Sequence, residues 1–353
     1  MQQTSNRSRV AQLALRPAVQ ASIGLAVVAV AFIWALPRFA AYDQVWEQLT
    51  GLRGAVIPAL LIVGAANLVA PSISQQAALP GLKLGQAVTT DWATTTVTNL
   101  LPGGSALAIG LTWSMYRSFK LTTEAITRSI VVTGVWDAFV KLGTPLVAII
   151  WLATQRPVGA ALIQAAVLGG ILFAVAAGLM AVVLSGAKTA ASIGRRLDAL
   201  PLLGDGWPER LDDLRTETVA LLAGRWRSLT FWTVAGHLNL YLLLVVCLRA
   251  LGVERSVLGW APVLAAFAFG RLVTAIPITP GGLGVMELGL VSALGAVGDA
   301  PEASVVAAVL LFRFMTFALP IPLGLISWLW WTARRDRLAS RGSTAAEAAG
   351  QQT

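Results

Sequence analysis

Apolar residues run along this chain in long blocks, at residues 18–36, 54–70, 124–153, 159–184, 228–251 and 303–331. Each block is near or above the roughly 20 residues that a helix needs to cross a bilayer. Six full membrane spans are therefore predicted. Two further apolar stretches are interrupted. Residues 85–116 carry Thr89, Thr90, Asp91, Thr94, Thr95, Thr96, Thr98 and Asn99 just before Pro102-Gly103-Gly104. Residues 256–297 hold Arg271 and Thr274, then Pro280-Gly281-Gly282, then Glu287. Proline lacks an amide donor and glycine is a poor helix former, so each triplet should split its helix. Backbone freed at membrane depth needs protein or water around it. The pattern predicts two re-entrant helical hairpins.

The order of elements repeats. Span 54–70, hairpin 85–116 and span 124–153 correspond to span 228–251, hairpin 256–297 and span 303–331. Arg117, Lys120 and Arg128 flank the first hairpin, whereas Asp299 and Glu302 flank the second. Positive charge marks cytoplasmic loops, so the first hairpin is expected to enter from the cytoplasm and the second from outside. The fold class read from the sequence is an all-α polytopic membrane protein with an inverted-topology repeat, an arrangement that places paired broken helices near the midplane, as in transporters.

The full length is 353 residues, 56% hydrophobic and only 12% charged, which excludes an ordinary soluble domain. A formal charge of +9 raises the question of nucleic acid. The basic residues sit in the tails and between apolar blocks, where topology and anionic headgroups account for them, so no nucleic-acid partner is expected. The N-terminal tail, the loop 185–227 with seven basic residues, and the C-terminal tail with Arg334, Arg335, Arg337 and Arg341 are all assigned to the cytoplasm of a cell-membrane protein. Arg7, Arg9 and Arg16 before the first block resemble a signal peptide, but the block is too long for one and lacks a clear cleavage site before Pro37-Arg38. A retained first span is expected.

The divisions that follow are a cytoplasmic tail (1–17), a first span and outer loop (18–53), a first membrane repeat plus an extra span (54–184), a cytoplasmic linker (185–227), a second membrane repeat (228–331) and a basic, partly disordered tail (332–353). The linker reads either as an amphipathic helix on the inner membrane surface or as a solvated helix. Trp328, Trp330 and Trp331 before Arg334 read as an interfacial belt.

Six ionisable residues fall at predicted membrane depth: Asp91, Asp137, Lys141, Arg271, Glu287 and Arg313. A charge near the bilayer centre costs at least about 2.5–3.5 kcal/mol, so such residues pair or line a wet cavity. Asp137 and Lys141 are four apart and can neutralise each other on one helix face. Arg271, Glu287 and Arg313 leave a positive surplus that suits a phosphate, which arginine binds bidentately. The amides of Gly281 and Gly282 would add donors at the start of a returning half-helix. The other reading of the same residues is a structural Arg–Glu clasp. The threonines before Pro102 either bind a headgroup or bond back to helix carbonyls. The single His237, in an apolar helical stretch, reads as a core histidine. The single Cys247 excludes an internal disulfide and a cysteine metal cluster. No nucleotide-binding loop is present, and no metal or cofactor is expected.

Gly270-Arg271, Ile276-Pro277, Thr279-Pro280-Gly281-Gly282-Leu283-Gly284-Val285-Met286-Glu287 and Arg313 together resemble the transmembrane region of lysylphosphatidylglycerol synthases, also called the flippase-like domain family. Asn99-Leu100-Leu101-Pro102-Gly103-Gly104 with Arg117 is similar to its weaker N-terminal motif. The resemblance spans roughly residues 50 to 335. It implies translocation of aminoacylated phosphatidylglycerol or other lipid-linked headgroups between leaflets, with a phospholipid or lipid-linked phosphate and membrane lipids as partners, and Asn99, Gly103, Gly104, Asp137, Lys141, Arg271, Gly281, Gly282, Glu287 and Arg313 as candidate substrate-binding residues. The sequence departs from full-length synthases in stopping about twenty residues past Trp331, so no aminoacyl-transfer domain, and no enzymatic activity, is expected. It departs from symmetry too: Glu287 follows Pro280 by seven residues, whereas the same offset from Pro102 reaches Ile109. Two other readings stay open, a secondary transporter of a small soluble anion and a noncatalytic scaffold or regulator of lipid modification.

Overall fold

The computed structural model describes residues 42–52, 54–101, 103–155, 159–184, 186–198, 206–273 and 279–334. The expected first span at 18–36 and the basic tail after 334 lie outside the described residues. Within them the structure is all-helical. The helices are α1 (Tyr42–Thr50), α2 (Ile57–Ala78), α3 (Leu84–Leu100), α4 (Gly104–Ser118), α5 (Thr123–Ala153), α6 (Ala160–Leu184), α7 (Ala187–Asp198), α8 (Trp207–Ala250), α9 (Trp260–Val273), α10 (Val285–Val297) and α11 (Glu302–Arg334). Helical turns at Gly54–Val56, ahead of α2, and at Pro280–Gly282 complete the set.

Four described helices are long and apolar enough to cross a membrane: α2 with its preceding turn, α5, α8 and α11. They bury themselves unequally. Half of the most apolar window of α11 is buried inside the protein, against 17% for α2 and for α5, so α11 is central while α2 and α5 present their apolar sides outward. Leu61, Ile62 and Ile150 are accordingly exposed. The main core gathers the C-terminal part of α8 with α9, α10 and α11 around Leu244, Phe267, Leu290 and Phe312.

Helix α2 runs past the expected end at residue 70, through Pro71, to Ala78. An interior proline removes one backbone donor; here the Trp92 indole donates to the Leu68 carbonyl at 2.8 Å, in the turn just before Pro71. The expected boundary between linker and second repeat, at 227/228, falls inside the single 44-residue helix α8. Its N-terminal part packs with α7, whose last turn carries Arg195 and Arg196.

Two helix pairs interrupt the long helices. The arms of the first, α3 and α4, have 17 and 15 residues. Those of the second, α9 and α10, have 14 and 13. At 1.5 Å per residue even the longest arm rises about 25 Å, short of the hydrocarbon core. In each pair the two arms pack on one another. Gly103, at φ 67°, turns the chain into α4, and a Cβ on Gly104 would strike the Val97 carbonyl and Thr98 backbone, so both glycines serve the reversal.

The two pairs are rooted at opposite ends of α8. Ala78, just ahead of α3, packs with Leu221 and Leu229 of α8. Arg128 near the start of α5 pairs with Glu217. At the other end Arg249 donates to the Val253 and Leu258 carbonyls, both at 2.6 Å, and Tyr241 donates to the Trp260 carbonyl, where α9 begins. Gly298, closing α10, lies against Leu258. The breaks meet between those ends: Asn99 Nδ2 donates to the Phe317 carbonyl at 3.2 Å, and its Oδ1 abuts Gly281.

The Trp belt divides. Trp328 and Trp330 are exposed, with Arg334 over the Trp330 ring. Trp331 instead turns inward: it is 5% exposed, and its indole donates to Ser118 Oγ at 2.9 Å, tying α11 to the end of α4.

Candidate functional site

Helix α11 contains a π-helical turn, Phe314–Ala318, directly after Arg313. There the Leu319 amide reaches back to the Phe314 carbonyl at 2.8 Å. Such an inserted turn shifts the backbone out of the i to i+4 ladder and leaves carbonyls available. Asn99 takes that of Phe317, and Thr96 donates to the Pro320 and Ile321 carbonyls. The threonine-rich face of α3 thus divides its work. Thr90, Thr94 and Thr98 bond back to carbonyls of their own helix, while Thr96 holds α3 against α11.

At the second break the charges close on each other. Arg313 donates from Nε to Glu287 Oε1 at 2.6 Å and from Nη2 to the Gly281 carbonyl at 3.0 Å, with its guanidinium over the Phe317 ring. The other carboxylate oxygen of Glu287 accepts the Gly284 amide at 2.6 Å. Glu287 is fully buried. The Gly282 amide bonds to the Thr279 carbonyl and the Gly104 amide to the Leu101 carbonyl. These donors are used within their turns, and none of Gly103, Gly104, Gly281 or Gly282 lines the cavity described below. Glu287, Arg313, Gly281 and Asn99 form a latch between the two breaks.

Arg271 lies elsewhere. It lines a cavity of about 520 Å³ bounded by α2, α3, α4, α5, α8 and α9. The walls carry Asn67, Ser74 and Gln75 from α2, Thr98 from α3, Thr112 and Tyr116 from α4, Ser129, Thr133 and Asp137 from α5, and Trp232 and His237 from α8. Asp137 is held at both oxygens, with Oδ2 2.5 Å from Lys141 Nζ on its own helix and Oδ1 2.9 Å from His237 Nε2. The expected i,i+4 pair is therefore present, joined by a histidine that sequence alone assigned to the core. Arg271 lies within electrostatic reach of Asp137 and of Arg313. The ten candidate residues separate into two that line the cavity, Arg271 and Asp137, with Lys141 paired to Asp137 outside its lining, and the residues of the two breaks. Sequence reasoning misses Tyr116 and reads His237 as core; the only signal for His237 as a site residue is an acid 100 residues away that the fold brings to it.

Behind the cavity wall, Gln75 donates to Asp91 Oδ1 at 2.9 Å and accepts from the Tyr116 hydroxyl. Ser74 and Thr233 share a hydrogen bond of 2.8 Å, closing α2 on α8. The cavity is thus rich in hydroxyl groups set among apolar wall residues such as Ile109, Ile130 and Leu240, and is framed by two broken-helix pairs. Among the described residues no three His, Cys, Asp or Glu side chains gather as metal ligands.

Residues 21–324 match the model of the family described as the lysylphosphatidylglycerol synthase TM region. The chain belongs to this family. Membership makes it a membrane protein related to lipid modification or flippase function. No curated protein matches the chain. Among the motif residues of the family resemblance, Arg271 faces the cavity, whereas Glu287 and Arg313 are spent on one another.

Proposed function

We propose that this family member translocates a phosphate-bearing lipid headgroup between leaflets, with the cavity around Arg271 as the headgroup site and the acyl or isoprenoid chains remaining in lipid. The observation that carries this reading is a hydroxyl-lined cavity of about 520 Å³ set among helices long enough to cross a membrane, with cationic Arg271 in its wall and Asp137 there paired to Lys141 of the same helix. Its size falls in the range of small-ligand sites. One carboxylate against a lysine and an arginine leaves a positive surplus, which favours an anion. Ile109 supports a lipid over a small soluble anion: it belongs to the cavity wall and is 55% exposed, so the wall continues to the outer apolar surface through α4. A tail can stay outside while its headgroup enters.

The helix pairs are read as re-entrant hairpins of an inverted repeat. Their arms are too short to cross, their roots lie at opposite ends of α8, and their breaks meet between. With the Arg-rich end inside, both termini face the cytoplasm of the cell membrane. The Glu287–Arg313 pair fastens the second hairpin to α11, to which Asn99 of the first hairpin also bonds, and opening these contacts would let one half move against the other.

The test is movement of a fluorescent phosphatidylglycerol between leaflets of proteoliposomes. Arg271→Gln should abolish it and Arg271→Lys should leave part of it, since lysine retains charge without the planar fork. Transport of inorganic phosphate with no lipid movement would replace the lipid by a soluble anion. Full lipid movement by a folded Arg271→Gln protein would sink the assignment of the cavity.

A further inference from the structure

The chain has one histidine, and its place in the cavity wall links two helices. His237 Nε2 lies 2.9 Å from Asp137 Oδ1, bridging α8 to α5. A carboxylate oxygen accepts, so Nε2 carries the hydrogen and Nδ1 is the atom left to take up a proton. Histidine is the side chain whose ordinary titration falls between about pH 5 and 8.

The charges around it set when that proton can be held. From α5 it faces Asp137 and, beyond it, Lys141; from α9 it faces Arg271. Helix α2 contributes Asn67, Ser74 and Gln75 to the same walls and no titratable group; α4 contributes Tyr116. Arg313 of α11, which packs against α8, is closed on Glu287 of α10. A protonated His237 would stand as a third cation near Lys141 and Arg271, with Asp137 against it and Asp91 of α3 behind Gln75. An anionic headgroup entering the cavity reverses that balance.

Resting on the reading of the cavity as an anionic-headgroup site, we infer that binding of the headgroup is coupled to uptake of one proton from cavity water by Nδ1 of His237. The coupling is reciprocal: whatever raises the histidine's hold on its proton when the anion arrives raises the anion's affinity when the proton is present. Binding therefore strengthens as pH falls through the histidine's range. A proton taken up on one side of the membrane and released on the other supplies a driving force for a chain in which no nucleotide-binding loop is found.

Because His237 is unique, its titration can be followed directly on tag-free protein by NMR of histidine labelled in the ring. Short-chain phosphatidylglycerol and inorganic phosphate serve as separate probes. The expected result is a titration midpoint that moves to higher pH on saturation with the lipid; a midpoint higher by one pH corresponds to about a tenfold gain in affinity between high and low pH. The same movement with inorganic phosphate alone keeps the coupling and assigns it to a soluble anion. His237→Gln should flatten the pH dependence of lipid movement in proteoliposomes. Asp91→Asn tests the other buried acid near the cavity: pH dependence lost there but kept in His237→Gln overturns the inference. So does an unmoved midpoint in protein saturated with lipid. Failure of wild type to bind either probe at any pH removes the headgroup site itself, and the coupling with it.

Discussion

Arg313 on α11 and Glu287 on α10 stand 2.6 Å apart with the carboxylate fully buried, and the same guanidinium reaches the Gly281 carbonyl. The pair fastens the second break to the central helix. An ion pair buried this deeply is costly to half-remove, because the remaining charge is left in low dielectric. Arg313→Gln should lower stability by about 3–5 kcal/mol, and Glu287→Gln by a similar amount. The double variant should lose less than the sum. Thermal unfolding in detergent across this double-mutant cycle measures the coupling; additive losses would show that the two residues act independently.

Gly281 sits at φ 55°, where a Cβ would approach the Phe317 ring at 2.5 Å and Asn99 Oδ1 at 2.9 Å. Gly281→Ala should therefore cost roughly 1–3 kcal/mol from backbone strain, with the steric clash adding to it. The same substitution at Gly110, where nothing lies within 4 Å of an added Cβ and φ is ordinary, should leave the melting temperature close to wild type.

The two neighbouring tryptophans of α11 should respond differently. Trp331→Phe removes one hydrogen bond, to Ser118, and is expected to cost about 0.5–1.5 kcal/mol. Trp330→Phe, at 51% exposure, should change stability by less than about 0.5 kcal/mol. Equal losses at both positions would favour the uniform belt expected from sequence.

Orientation is checked by single cysteines placed in a Cys247→Ser background. Positions 120 and 210 lie toward the Arg128–Glu217 end of the bundle and position 300 at the other end. Membrane-impermeant reagent should label 300 from outside, and 120 and 210 only after the inner face is opened. Labelling of 120 and 300 from the same side would overturn the inverted arrangement.

The membrane class, the position of both breaks and the family were legible in the residues, because each is a local property. Runs of apolar residues report their own length, and Pro-Gly-Gly cannot continue a helix wherever it stands. The Asp137–Lys141 pair was legible for the same reason, since a spacing of four on a helix determines who meets whom. The latch residues and the cavity residue were all named from the sequence, yet read as one triad. Only tertiary packing divides them: the π-turn after Arg313 brings α11 to the Gly281 break and turns its guanidinium to Glu287, while Arg271 lines the cavity. His237 shows the limit most plainly. A lone histidine in an apolar helix has no sequence neighbour to announce its chemistry, and its partner Asp137 arrives from 100 residues away when α5 packs along α8. Spacing along a helix is determined by the backbone repeat; contact between helices is determined by which faces bury together, and that depends on the whole chain.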